Sequence, residues 1–176
     1  MAASVTVPVE EYLRTTYHPD MEYVDGELVE RHVGEHKHGC LQAEIVLELG
    51  ARRRVRRFRI MTEVRLRVWG TKHRYRIPDA CVMALPYHSE PVLTTPPHLV
   101  IEIVSPDDEA ADLLAKVSDY LRFGVPHVWL VNPYKYTVQE AGRDGLRDCP
   151  SRVVETELVG QVDFNDLFAR VDEATE

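Results

Sequence analysis

The chain has 176 residues, 44% of them hydrophobic and 28% charged, with a net charge of −8 at neutral pH. That length supports one sizeable buried core and is short for two full domains, so residues 1–176 are read as a single domain. The acidic balance excludes a protein whose whole surface clings to a polyanion, no stretch nears the ~20 apolar residues of a membrane span, and no basic-then-apolar segment opens the chain, so a soluble, cytoplasmic protein without a membrane partner is expected.

Val9 to Arg14 is a short helical candidate, and Glu22 to Glu30 reads as two strand pieces around Asp25-Gly26, a strong hairpin signal. From His38 to Gly50, Leu41, Ile45 and Leu49 recur at spacing four with Val46 beside them, which predicts one helix ending near Gly50 and leaves Leu47 off the stripe. Val55 to Val68 then reads as extended, with Val64, Leu66 and Val68 alternating inward and Trp69-Gly70 closing it. A turn from Gly70 to His73 leads into a strand, Tyr75 to Ala84. Four prolines make 86–97 a loop.

His98 to Val104 is apolar on both faces apart from Glu102, as a central strand covered on both sides would be. Ser105-Pro106-Asp107-Asp108 has helix-start chemistry with Ser105 as N-cap, and Leu113, Leu114, Val117, Tyr120 and Leu121 make an amphipathic helix ending at Gly124. His127 to Val131 is a second buried strand, which implies a parallel crossover pair around that helix. Thr137 to Ala141 and Leu146 to Asp148 flank the Gly142 to Gly145 turn as a hairpin, Phe164 to Phe168 predicts a last short helix, and the acidic tail from Asp172 is expected to fray. Cys40, Cys81 and Cys149 are odd in number and widely spaced, so neither a disulfide framework nor a zinc site is suggested, and Cys81 reads as packing within a strand.

Two acids stand out against this pattern. Asp79 in Arg76-Ile77-Pro78-Asp79-Ala80 and Glu102 in Leu99-Val100-Ile101-Glu102-Ile103-Val104 sit in apolar stretches, where an unpartnered charge is costly. If the two strands are neighbours, both carboxylates point to one spot, and Lys116, on one helical face with Asp112 and Tyr120, is the natural third member. Mg²⁺, or Mn²⁺, prefers such hard oxygen ligands and binds through one or two carboxylates plus substrate phosphate oxygens. Each residue also has a plain alternative: an Asp112–Lys116 surface bridge, an Asp in a turn after Pro78, and Glu102 as a core acid paired with an arginine. The positive charge is uneven. Six arginines fall between Arg52 and Arg59, followed by Arg65, Arg67, Lys72, Arg74 and Arg76. Arg53, Arg56 and Arg57 are the candidates for holding a nucleic-acid backbone, against a merely solvated, salt-bridged surface.

Glu22-Tyr23-Val24-Asp25-Gly26-Glu27-Leu28, His38 at the head of a helix, Tyr75-Arg76-Ile77-Pro78-Asp79, Ile101-Glu102-Ile103-Val104-Ser105-Pro106, Lys116 with Tyr120, and Gly124 to Pro133 together resemble the Uma-type restriction endonucleases of the PD-(D/E)XK nuclease superfamily. The resemblance covers most of 20–140, the nuclease core, and leaves a C-terminal hairpin and short helix over about 134–171. It implies an α/β restriction-endonuclease-like core, a mixed sheet flanked by helices, a Mg²⁺ site and cleavage of DNA. Asp79 matches the superfamily's metal-binding aspartate and Glu102 the acid of its Glu-x-Lys element. The departure is Val104, apolar where that element has its lysine. Lys116 matches the place in the following helix from which the Uma-type family takes it. The superfamily often adds a glutamate from its first helix, for which Glu44 and Glu48 are both candidates. Glu22 and His38 match recurrent family positions with open roles, His38 reading more simply as a helix-start packing residue.

Three functions are compatible with these residues. The first is a metal-dependent endonuclease with Asp79 and Glu102 as metal ligands and Asp79, Glu102 and Lys116 as the catalytic set. The second is a non-catalytic nucleic-acid-binding or interaction module on the same fold, and the third a hydrolase of a smaller phosphoester. A homodimer would suit cleavage of both strands of a duplex, since one site cuts one strand.

Overall fold

The computed structural model describes residues 6–31, 34–68, 73–142 and 144–173. The expected closure at Trp69-Gly70, Lys72 and Arg143 of the last hairpin turn lie outside the described residues. Helix α1 (Val9–Arg14) precedes the hairpin β1 (Met21–Val24) and β2 (Glu27–Glu30). Its turn residues Asp25 and Gly26 both have positive φ, 53° and 107°, as a tight two-residue hairpin requires.

Helix α2 runs from His36 to Arg56, six residues beyond the expected end at Gly50. Leu41, Ile45 and Leu49 are its buried stripe. A mid-helix glycine costs only about 1 kcal/mol relative to Ala, and the arginines beyond Gly50 are good helix formers. The helix therefore stops only at Arg57, in the left-handed region at φ 56°. Val55, expected in a strand, lies on the helix surface at 88% exposed. Beyond the helix the expected single extended run is two strands, β3 (Phe58–Met61) and β4 (Leu66–Val68), which belong to different sheets. The expected strand Tyr75 to Ala84 is likewise divided into β5 (Arg74–Arg76) and β6 (Ala80–Ala84), with Ile77-Pro78-Asp79 crossing from one sheet to the other. Pro78 has no N–H for a ladder, which suits such a crossing.

Strand β7 (Leu99–Ile103), helix α3 (Ala110–Phe123) and strand β8 (His127–Asn132) form the crossover, with Leu99 opposite His127 in a parallel ladder. Helix α3 begins at Ala110 after Glu109, so Ser105 is not its N-cap. Instead, the Asp108 carboxylate accepts the Ser105 N–H (2.7 Å), making a separate turn ahead of the helix. The hairpin β9 (Thr137–Gly142) and β10 (Gly145–Asp148) is followed by a second hairpin, β11 (Val153–Thr156) and β12 (Gly160–Asp163), and by helix α4 (Phe164–Glu173). Asp172, the expected start of a frayed tail, lies in the last turn of α4 and pairs with Lys37 at 2.9 Å, while residues 174–176 of the tail lie outside the described residues.

A six-stranded mixed sheet, β10-β9-β8-β7-β6-β3, forms the centre, and a four-stranded antiparallel sheet, β2-β1-β5-β4, lies against it. On one face of the large sheet Val82, Ile101 and Trp129 pack against Leu41 and Ile45 of α2 and Phe164 and Leu167 of α4. On the other, Cys81, Val100 and Val128 pack against Leu66 of β4 and Val117 and Tyr120 of α3. A third cluster of Tyr12, Tyr23 and Tyr75 joins α1 to the smaller sheet. Among the described residues no helix is long and apolar enough to cross a membrane.

Candidate active site

The β6–β7 ladder pairs Ala80 with Ile101, so one step further Asp79 faces Glu102. Asp79 is 4% exposed and Glu102 3%. The Asp79 carboxylate accepts the Ile103 N–H at 2.7 Å, pairs with Arg31 at 2.9 Å, and lies 3.3 Å from His38 Nε2. Gln42 of α2 donates to the Asp79 carbonyl at 2.9 Å. Burial alone would raise the Asp79 pKa, but the His38, Ile103 and Arg31 contacts outweigh it and hold the carboxyl below its ordinary value. The same pairing raises the His38 pKa against the effect of its burial.

Glu102 lies in a different setting. Tyr120 donates its hydroxyl to Glu102 Oε1 at 2.5 Å, and Lys116 Nζ stands 3.8 Å from Oε2. Burial pushes the Glu102 pKa up to about 7, and the charges of Asp79 and Glu22 add to the rise against Lys116 and Tyr120. Two carboxylates on facing strands are thus driven apart in acidity, one firmly ionised and one poised near neutrality. Lys116 turns toward Glu102 and Glu22, 3.8 Å from each, rather than making the surface bridge to Asp112. These acids raise its pKa despite burial, so it keeps its proton.

Beneath this set lies a layer of buried charge. Glu22 of β1, 0% exposed, accepts the Ile77 N–H at 2.9 Å and the Arg76 guanidinium at 2.7 Å. Arg76 also binds Asp119 of α3 at 2.8 Å, and Arg74 reaches the other Asp119 oxygen at 2.8 Å. Glu22 was legible as a recurrent position without a role, and His38, expected as a helix-start packing residue, instead turns its Nε2 to Asp79. Arg31 and Asp119 carried no signal in the sequence, because each looks like one more charged residue on a strand end or helix surface.

Neither Glu44 nor Glu48 joins the site. Both face α4, where Arg170 lies 3.3 Å from each. The arginine run also lies elsewhere: Arg53, Arg56 and Arg57 are exposed at the C-terminal end of α2, while Asp79 contacts its N-terminal end through His38 and Gln42. Arg52 is taken up by Glu48 and the Gln161 carbonyl, and the Arg56 guanidinium lies where a side chain at Gly160 would stand.

Asp79 opens onto a cleft of about 390 Å³ that Arg31, His38, Gln42 and Glu63 also line. Asp79 and Glu102 are hard oxygen donors of the kind Mg²⁺ takes, whereas the two Glu22 oxygens are held by Arg76 and the Ile77 N–H. The repulsion that Asp79 and Glu22 exert on Glu102 is charge that a divalent cation would offset.

The fold matches a solved structure described as "a putative nuclease belonging to DUF820 from Anabaena variabilis ATCC 29413", with a TM-score of 0.79 at 22% identity, over 94% of this chain and 99% of that one. Among curated proteins none matches significantly. The model of the Uma2 family, described as "Putative restriction endonuclease", matches residues 9–160. That span takes in β1 with Glu22, both strands that carry the facing acids and the helix that carries Lys116, and the chain belongs to the Uma2 family.

Proposed function

We propose that this chain is a single-domain, divalent-metal-dependent endonuclease that hydrolyses phosphodiester bonds of DNA at Asp79, Glu102 and Lys116. The observation that carries the reading is the register that sets Asp79 across from Glu102, with a protonated Lys116 3.8 Å from Glu102 and Asp79 opening onto the cleft. Membership of a family described as restriction endonucleases supports nuclease chemistry over other hydrolysis.

Asp79 and Glu102 would hold the Mg²⁺, whose part is to acidify a water and offset charge on the scissile phosphate. Lys116 acts as a cation and donor, not as a base, because its acidic neighbours keep its proton on. It is placed to orient the attacking water or to stabilise the extra negative charge of the five-coordinate phosphorus. Tyr120 fixes one oxygen of Glu102 and leaves the other toward Lys116. Arg31 and His38 orient Asp79, as the partners of a metal-binding carboxylate commonly do.

Nicking of supercoiled plasmid in Mg²⁺ or Mn²⁺ tests the reading. Asp79→Asn, Glu102→Gln and Lys116→Met should each lower the rate by at least about 100-fold, with thermal melts showing that each variant is folded, and EDTA should abolish it. Equal nicking by wild type and Asp79→Asn would sink the proposal. Salt-dependent DNA binding with no cleavage by the wild type would favour the non-catalytic module.

A further inference from the structure

At the other end of the central sheet, two imidazoles and a carboxylate converge. His98 immediately precedes β7, and His127, opposite Leu99, opens β8; their ring centroids stand 5.1 Å apart. Glu157 comes from the turn between β11 and β12. Its Oε1 lies 3.7 Å from His98 Nδ1 and its Oε2 3.4 Å from His127 Nε2. One ligand atom from each of the three falls within 4.8 Å of the others. Ligands about 2.1 Å from a tetrahedral ion stand about 3.4 Å apart, so small side-chain adjustments would close the set around one ion.

The second nitrogen of each ring is also engaged. His98 Nε2 is 3.0 Å from Thr156 Oγ1, and His127 Nδ1 is 3.6 Å from Glu140 Oε1. Glu140, 7% exposed, is held in turn by Arg147. A hydrogen bond behind a histidine, as Thr156 makes with His98, fixes its tautomer and presents the other nitrogen to a metal, and a carboxylate behind the ring, as Glu140 stands to His127, favours the same orientation. Both imidazoles are largely sheltered, with side chains 12% and 24% exposed, while Glu157, at 75%, faces solvent. A cleft of about 440 Å³ opens beside His127 and Glu157.

We propose that His98, His127 and Glu157 form a second metal site, selective for a borderline transition ion, Zn²⁺ foremost, with a fourth position open to this cleft. Imidazole suits Zn²⁺, Ni²⁺ and Cu²⁺, whereas Mg²⁺ takes oxygen ligands, so the two ends of the sheet are chemically sorted. His98 stands four residues from Glu102 along β7, about 13 Å at the rise of a strand, so one ion cannot serve both sets. The ion would tie the β11–β12 hairpin to the parallel pair β7 and β8. The site does not depend on the nuclease reading.

Titration of the metal-stripped full chain with Co²⁺, followed by its visible absorption and then by displacement with Zn²⁺, tests the site. Wild type and Asp79→Asn should each develop the same intense visible band, saturating at one ion per chain with the same affinity, because Co²⁺ on the oxygen ligands of the other site absorbs only weakly. Glu157→Gln should bind at least tenfold more weakly, and His127→Ala should lose the absorption band. Glu157 is exposed, so Glu157→Gln leaves the fold intact and carries the test if His127→Ala fails to fold. Zn²⁺ should raise the melting temperature of wild type and Asp79→Asn but not of Glu157→Gln. Binding unchanged in Glu157→Gln, binding lost in Asp79→Asn but kept in Glu157→Gln, or no binding at micromolar ion would each overturn the proposal.

Discussion

Arg76 is 5% exposed and bridges two buried acids, Glu22 from the N-terminal hairpin and Asp119 from α3. Removing one member of a buried ion pair leaves uncompensated charge in a poor dielectric, which costs about 3–5 kcal/mol. Arg76→Met should therefore lower unfolding stability by about that amount in urea titrations, far more than replacement of an exposed arginine such as Arg54. A loss below about 1 kcal/mol would mean that water reaches Glu22 and Asp119. Glu102 was legible in the sequence because it is a lone acid in an apolar run. Arg76 and Asp119 were not, because they lie among other charged residues and meet across 43 positions of chain. Glu44 and Glu48 sat on a helix with the right residue type, and only packing against α4 revealed that they turn to Arg170.

Helix α2 carries Gly50 in its interior, and a side-chain carbon built there meets nothing within 4 Å. Gly50→Ala should consequently stabilise the protein by about 0.5–1 kcal/mol, since it removes a backbone entropy cost without a clash. Gly124 caps α3 at φ +104°, a conformation that L side chains rarely adopt, so Gly124→Ala should destabilise. Comparing the two variants by chemical denaturation checks both signs. The same reasoning explains the misread boundaries. Gly50 looked like a helix end because glycine often stands there, but the helix continues where the arginines keep favouring it. The continuous β-rich run from Tyr75 to Ala84 concealed a change of sheet, because hydrophobic alternation carries no information on which neighbour a strand pairs with.

The molecule places its chemistry at separate poles. The facing acids lie where β6 begins and β7 ends, and the histidine pair lies at the other end of the sheet, where β7 and β8 begin. The arginines cluster at the far end of α2. His38 and Arg56 are eighteen positions apart on that helix, about 27 Å at its rise per residue. A duplex held at the cleft would have to extend to reach them. Arg53→Glu with Arg57→Glu should weaken DNA binding and reduce the slope of log affinity against log salt by about two, while metal-dependent cleavage of a short oligonucleotide persists. An unchanged slope would make the run a solvated surface. Hydrophobic periodicity, turn chemistry and the anomaly of acids in apolar strands were properties of contiguous residues, so the chain alone yielded most elements, the parallel crossover and the prominence of Asp79, Glu102 and Lys116. The division into two sheets, the buried Glu22–Arg76–Asp119 layer, the remoteness of the arginines and the convergence of His98, His127 and Glu157 depend on register between segments distant in sequence, which only the folded chain brings into contact.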